Sequence, residues 1–254
     1  MRENALRKKL SGGENALGLW SMMGSEAVLE MAAPLGFDWV LIDCEHGVAS
    51  IEALAGLLRG LNGSKTTSIV RMPGADNPAD FKRVLDAGAE GVLVPLVYSA
   101  DQVKGIVSAC RYPPLGTRGI ASGRAHQYGY DFMDYLLKSD SEILVFVQAE
   151  TQEAIENIDE IMAVDGLDGV LIGPMDLSAA LKKPFEFKSP GFRAATNKVL
   201  QAAKNTGKYA GFYCNDVAEA KARLAEGFQF VNICSDMLLL LKGYIGALEA
   251  MKET

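Results

Sequence analysis

Apolar positions along the chain follow two alternating patterns. Short, nearly unbroken β-rich runs occur at ALGLWSMM (16–23), DWVLIDC (38–44), TSIVRM (67–72), GVLVPLV (91–97), ILVFVQAE (143–150), GVLIGP (169–174), YAGFYC (209–214) and FVNICS (230–235). Longer amphipathic stretches separate them, among them SEAVLEMAAPLG, IEALAGLLRGL, NPADFKRVLDAG, SADQVKGIVSAC, TQEAIENIDEIMA and DVAEAKARLAEG. Several begin at Ser, Asn, Asp or Thr and end at Gly, the start and stop signals of helices. Continuous apolar strands suit a parallel sheet covered by helices. Eight such strand–helix units predict one (β/α)8 barrel, a TIM barrel, as a single domain over residues 1–254. An open doubly wound sheet is the alternative. No G-x-G-x-x-G follows the first strand, which weakens that fold's usual dinucleotide function.

Composition narrows the classes further. The chain is 49% hydrophobic and 22% charged, with a net charge of −7. That balance gives an ample core and no electrostatic footprint for nucleic acid. No run approaches the length of a membrane-spanning helix, and the N-terminus lacks the apolar segment of a signal peptide. Cys44, Cys110, Cys214 and Cys234 form no C-x-x-C pair, as expected of reduced thiols in a cytoplasmic protein. His46 and His126 are the only histidines, so a multi-histidine metal site is excluded.

In such a barrel, active sites are built at the C-terminal ends of the strands. There the second strand ends in Asp43, Glu45 and His46, the third in Arg71, and the fifth in Gln148 and Glu150; Asp176 follows the sixth. Each has a plain alternative: Asp176 as a helix cap, Arg71 as an ion-pair partner, His46 as a core histidine. Their gathering on one rim is what sets them apart. Glu150 and Asp176 offer hard oxygen ligands suited to Mg²⁺ or Mn²⁺. Arg71 offers a permanently charged fork for a carboxylate or an enolate oxygen. His46 can move a proton near neutral pH, and Asp43 is placed to orient it, depending on the loop between them. No lysine falls at a strand end, which argues against imine chemistry. No glycine-rich cradle follows the last two strands, so a phosphorylated substrate is not indicated.

The stretches DWVLIDCEHG, VRMP, VLDAGAEGVLVPLV, RYPPLGTRG, VQAET and DGVLIGPMDLS, in this order, resemble the HpcH/HpaI aldolase family of metal-dependent class II pyruvate aldolases. Its members include 4-hydroxy-2-oxoheptanedioate and 2-keto-3-deoxy-sugar-acid aldolases. The resemblance implies a barrel of the phosphoenolpyruvate/pyruvate type and a divalent cation (Mg²⁺, Mn²⁺ or Co²⁺) held by Glu150 and Asp176. It also implies Arg71 at the substrate keto oxygen and Gln148, Gly173 and Pro174 beside the substrate. Asp43 and His46 would serve proton transfer through water. Asp86 matches an acid of the active region, contributed across a subunit contact or else merely an exposed helix acid. The implied assembly is a homo-oligomer, a hexamer or trimer of dimers, that exchanges the helix over residues 237–252; docking within one chain explains those leucines equally well.

The reaction so implied is reversible cleavage of a 4-hydroxy-2-oxo acid into pyruvate and an aldehyde, in aromatic or sugar-acid catabolism. The partners would be small molecules, with neither nucleic acid nor membrane. Two alternatives are a CoA-thioester lyase of the malyl-CoA or citrate lyase β type, and a non-catalytic 2-oxo-acid-binding barrel. The sequence departs from the family pattern at KKPFEFKSPGF (182–192), GFYCND (211–216) and VNICSD (231–236), positions expected to line the aldehyde side. The long segment 111–131, rich in Gly, Arg and Tyr, is expected to be a functional loop or lid. Its Arg118, Arg124 and His126 would reach an anionic tail of the aldehyde or, alternatively, pack against a neighbouring subunit.

Overall fold

In the computed structural model, which describes residues 1–252, eight parallel strands close into a barrel. They are β1 (Ala16–Ser21), β2 (Trp39–Asp43), β3 (Thr67–Arg71), β4 (Gly91–Val94), β5 (Leu144–Gln148), β6 (Gly169–Ile172), β7 (Tyr209–Phe212) and β8 (Phe230–Ser235). Every strand pairs with its sequence neighbours, and β8 returns to β1 with Ala16 opposite Phe230. The expected eight strands and their order are present. Several end earlier than the apolar runs do, β4 at Val94 and β6 at Ile172 among them.

Alternation decides what each side of the sheet holds. Val40, Ile42, Val70 and Val92 point outward into the core shared with the helices, whereas Trp39, Leu41, Ile69, Leu93 and Phe146 fill the barrel. Each such fully buried side chain stabilises the fold by about 1.5–3 kcal/mol. The fit is tight. A Cβ on Gly18 of β1 would lie 2.1 Å from the Trp39 ring, so only glycine leaves room for that indole.

The helix Ala5–Ser11 plugs the N-terminal end of the barrel with Leu6 and Leu10, which are buried in the inner cluster. Asn4 caps it by accepting from the Arg7 N–H at 3.1 Å, and Arg7 and Lys9 pair with Asp168 and Asp38 just before β6 and β2. With two apolar residues in a short, basic segment, this helix carries no periodic signal.

Helices antiparallel to the strands return the chain to that same N-terminal end, and this decides where segment 111–131 lies. It follows the helix Ala100–Cys110 and packs beneath the barrel: Arg124 donates to the Ala87 carbonyl and Arg111 to the Gly166 carbonyl, both preceding strands. In its own chain the segment is therefore no lid over the C-terminal rim. His126 is fully buried, with Nε2 2.8 Å from the Ala121 carbonyl and its ring edge-on to Phe132 and Tyr135. It is a core histidine. Among the described residues, no helix is long and apolar enough to cross a membrane.

Candidate active site

On β2, β3 and β5 the inward column changes character at its C-terminal end. Trp39 and Leu41 give way to Asp43, Ile69 to Arg71, and Leu144 and Phe146 to Gln148. On the opposite arc, Gly18 leads to Trp20 and Gly211 to Tyr213. A cavity of about 420 Å³ opens above them, lined by His46, Arg71, Gln148, Gly173, Pro174 and Asp176 and closed on its other side by Trp20, Tyr213 and the start of the last helix.

Arg71 is held on every side. Its Nε donates to Asp43 Oδ1 at 2.9 Å, Nη2 donates to Asp43 Oδ2, and Nη1 lies 3.4 Å from Gln148 Oε1. Nη1 also sits 2.9 Å from Glu45 Oε2, an ion pair without hydrogen-bond alignment. The guanidinium stacks over the Trp20 ring, 5.0 Å from its centroid. A planar fork gripped in this way is preorganised, and its position costs nothing when a ligand arrives.

Asp43 is fully buried, and both oxygens are occupied. Besides Arg71 it accepts from the Trp20 indole at 3.1 Å and from the backbone N–H groups of Glu45 and His46 at 3.0 and 3.1 Å. Burial opposes its charge, but Arg71 and these donors outweigh that and hold the carboxyl below its usual range. Asp43 thus folds the loop after β2 around itself and leaves no lone pair for the His46 imidazole, so the expected ring contact is not made. The acid nearest the ring is Glu45, with Oε1 3.8 Å from Nε2. Glu45, to which sequence reasoning gave no role, links His46 to Arg71. Its carboxyl is raised by burial, with Arg71 and His46 pulling it down and Asp43 and Asp176 pushing it up.

Glu150 lies two residues beyond β5 and is almost completely buried. Oε1 accepts the Leu96 N–H at 2.9 Å, and Oε2 accepts from Gln148 Nε2. Burial, reinforced by Asp176 and Glu45 against the Leu96 N–H and Arg71, pushes its carboxyl up to about 7. Gly173 permits this position, since a Cβ there would come 2.2 Å from Glu150 Oε2. Gly173 also precedes the helix Pro174–Ala180, whose first turn carries the exposed Asp176 to the same rim.

Asp43, His46, Arg71, Gln148, Glu150, Gly173, Pro174 and Asp176 are therefore together. Asp86 is not. It ends the helix Pro78–Asp86 at the opposite pole and pairs with Arg118 at 2.7 Å, the Arg118 guanidinium lying 4.5 Å from the centroid of the Tyr112 ring. Arg118, Arg124 and His126 are at that pole too, so within one chain none reaches the cavity. A larger cavity there, about 850 Å³, has Arg2, Glu90 and Arg124 on its walls, and these already bind one another or backbone carbonyls. Trp20, like Glu45, was given no role by the sequence, although the inward alternation of β1 points to it; Tyr213 falls in the stretch 211–216 expected on the aldehyde side, and it does line the cavity.

The profile of the HpcH/HpaI aldolase/citrate lyase family matches residues 16–242. The chain belongs to this family. It is 38% identical over 238 residues to the 2-keto-3-deoxy-L-rhamnonate aldolase of Klebsiella pneumoniae subsp. pneumoniae, covering 93% of this chain and 88% of that protein. The 4-hydroxy-2-oxovalerate aldolase of Rhodococcus jostii is 38% identical over 240 residues, 94% of this chain and 92% of its own. Among solved structures, an HpcH/HpaI aldolase/citrate lyase family protein from Burkholderia cenocepacia J2315 superposes with a TM-score of 0.93 at 31% identity, over 98% of this chain and 99% of that one.

The rim of this HpcH/HpaI family member suits a hard divalent cation. Glu150 and Asp176 repel each other, no lysine lines the cavity, and Arg71 is already shared between two acids. A dication relieves that repulsion. Among the described residues no three acidic, histidine or cysteine side chains converge as a complete cage. Two carboxylates, with remaining positions left to water and substrate, is how such ions are commonly held in enzymes.

Proposed function

We propose that the protein is a divalent-metal-dependent aldolase that reversibly cleaves a 4-hydroxy-2-oxo acid into pyruvate and an aldehyde. The observation that carries this reading is a cavity lined by Asp176, a fully gripped Arg71 and His46, with the buried Glu150 carboxylate near enough to Asp176 for the two charges to oppose each other. Glu150 and Asp176 would hold Mg²⁺, Mn²⁺ or Co²⁺. When bound, the ion supplies Lewis-acid polarisation of the 2-oxo group, worth several kcal/mol of transition-state charge stabilisation.

The chain's own residues do the rest. Arg71 presents its fork to the oxygen that becomes anionic as the C3–C4 bond breaks. Gln148, tied to both Arg71 and Glu150, sets the spacing between cation and fork. His46, with 64% of its side chain exposed toward the cavity mouth, takes the 4-hydroxyl proton in cleavage and returns one in synthesis, with Glu45 beside its ring. Trp20 and the aliphatic residues of the last helix keep water from the enolate carbon. Asp86 has a role only if a neighbouring subunit delivers it, consistent with a cytoplasmic homo-oligomer acting on small molecules.

Pyruvate release from a panel of 4-hydroxy-2-oxo acids, measured with the purified protein, tests this reading. Chelation should abolish release, and added Mg²⁺, Mn²⁺ or Co²⁺ should restore it. Arg71→Lys, which keeps the charge but loses the fork, should lower kcat by about 100-fold with little change in metal affinity. Release that ignores chelation would refute the proposal.

A further inference from the structure

Leucine rarely adopts a left-handed backbone, because its Cβ then crowds the following carbonyl. Leu96, two residues past the end of β4, does so, with φ +51°. The other non-glycine residues of positive φ among the described residues are Gln127, Tyr128, Lys182 and Phe185. The first two lie in segment 111–131, and the last two follow the helix Pro174–Ala180. Leu96 differs from them in where its N–H goes: Glu150 Oε1 accepts it at 2.9 Å. Its side chain is 44% exposed, so burial of the leucine does not set this conformation. The neighbours do. Pro95 and Val97 are buried on either side of it. Thr151 Oγ1 donates to the Val97 carbonyl at 3.2 Å, and Asn157 Nδ2 donates to the Tyr98 carbonyl at 2.8 Å. The Thr151 hydroxyl also accepts the Ala154 N–H at 2.9 Å, which ties this loop to the helix after β5. Backbone strain persists where the surroundings over-determine it in this way.

We propose that Leu96 is a positioning residue for the metal ligand Glu150: its left-handed backbone turns the Pro95–Leu96 peptide so that an N–H, not a carbonyl, meets Oε1 and aims the carboxylate at the cation. This deepens the metal-dependent reading above and rests on it. The 95–96 peptide has a second orientation. Turned over, it would return Leu96 to a negative, relaxed φ and bring the Pro95 carbonyl to where the N–H now stands. An acceptor would then face a carboxylate oxygen in a buried site, with the Glu150 charge left short of a donor. The side chain of Glu150 has three rotatable bonds. Leu96 N–H on Oε1 and Gln148 Nε2 on Oε2 fix its carboxylate plane from both sides. Partners of this kind orient a ligand and raise its affinity for the ion. The requirement at position 96 therefore falls on the backbone rather than on the leucine side chain.

Calorimetric Mn²⁺ titration of the full chain and of its Leu96→Gly, Leu96→Asn and Leu96→Ile variants tests this. Gly and Asn tolerate a left-handed backbone, whereas the β-branched isomer of leucine resists it most. Leu96→Gly and Leu96→Asn should bind Mn²⁺ within about threefold of wild type, and Leu96→Ile at least about tenfold more weakly. A role for the side chain, in packing or in contact with another subunit, predicts the reverse order, since isoleucine keeps its size and apolarity. A second readout needs no metal. With EDTA present, the amide of residue 96 should exchange slowly with D₂O in wild type, Leu96→Gly and Leu96→Asn, and quickly in Leu96→Ile. Amides of β4 should stay protected in all four proteins, which separates one turned peptide from loss of the fold. Should Leu96→Ile fail to fold, the other two variants and the wild-type amide decide. Mn²⁺ affinity retained by a folded Leu96→Ile, or lost by both Leu96→Gly and Leu96→Asn, would overturn the inference, as would rapid exchange at Leu96 in wild type. Wild type that binds no Mn²⁺ would bring down the metal-dependent reading itself, and the inference with it.

Discussion

Glu150 shows how a single side chain is kept in an unfavourable state. Its carboxyl sits at about 7 against an ordinary 4.5, because burial and two neighbouring acids oppose its charge. Such a raised acid leaves stability untouched below about 4.5 and costs it in full above about 7. Metal-free protein should therefore lose stability as pH rises through that window, by up to about 3 kcal/mol at pH 8. Glu150→Gln should remove that loss: in urea unfolding with EDTA present, the variant should match wild type near pH 4.5 and exceed it at pH 8. Equal stability at pH 8 would mean that the group is not strained. Asp43 is the opposite case, a buried acid whose charge is fully matched. Both sit at the end of an apolar run, which is why each was legible in the sequence. Their unequal states were not legible, since these depend on which partners arrive from other strands.

At the scale of elements, the turn from β6 into the helix Pro174–Ala180 does two things at once. Gly173 leaves room for Glu150, and Pro174 starts a helix whose first turn presents Asp176. Gly173→Ala should push the Glu150 carboxylate aside and weaken Mn²⁺ binding by at least about tenfold, measured by calorimetry, with little change in overall fold. Strand order and most of the site could be read from the chain because each parallel strand is a continuous apolar run closed by a polar residue. Segment 111–131 misled because its glycines and arginines resemble a lid, and only the descent of the preceding helix reveals which pole it occupies. For Asp86 too, helix direction rather than composition decides: it lies 2.7 Å from Arg118 and away from the rim of its own chain, so only a neighbouring subunit could bring it to a site. The Asp43–His46 contact failed for a local reason, since Arg71, Trp20 and two backbone N–H groups fill the Asp43 lone pairs.

Across the whole molecule, the helix Asp236–Lys252 is the element that the chain does not use for its own core. Asp236 anchors it, accepting from Ser21 Oγ and Met22 N, each at 2.8 Å, which ties the end of β8 to the loop after β1. Beyond that anchor, Leu239, Leu240, Leu241, Tyr244, Ile245 and Leu248 are exposed by between 43% and 63%. Apolar area of this extent on a single helix is the mark of an interaction surface, and a second copy of the chain is the occupant the family resemblance implies. Leu241→Glu with Leu248→Glu, seven residues apart on one face, should shift the protein toward monomers in sedimentation velocity while the barrel stays folded. An unchanged sedimentation coefficient would place the contact elsewhere.

The proposed chemistry requires one ion to be shared by two acids from adjacent strand ends. Manganese titration followed by electron paramagnetic resonance tests this directly. Wild type should bind one Mn²⁺ per chain, with a spectrum that changes on adding pyruvate, and Glu150→Gln and Asp176→Asn should each abolish that binding. Full binding retained by both variants would contradict the account.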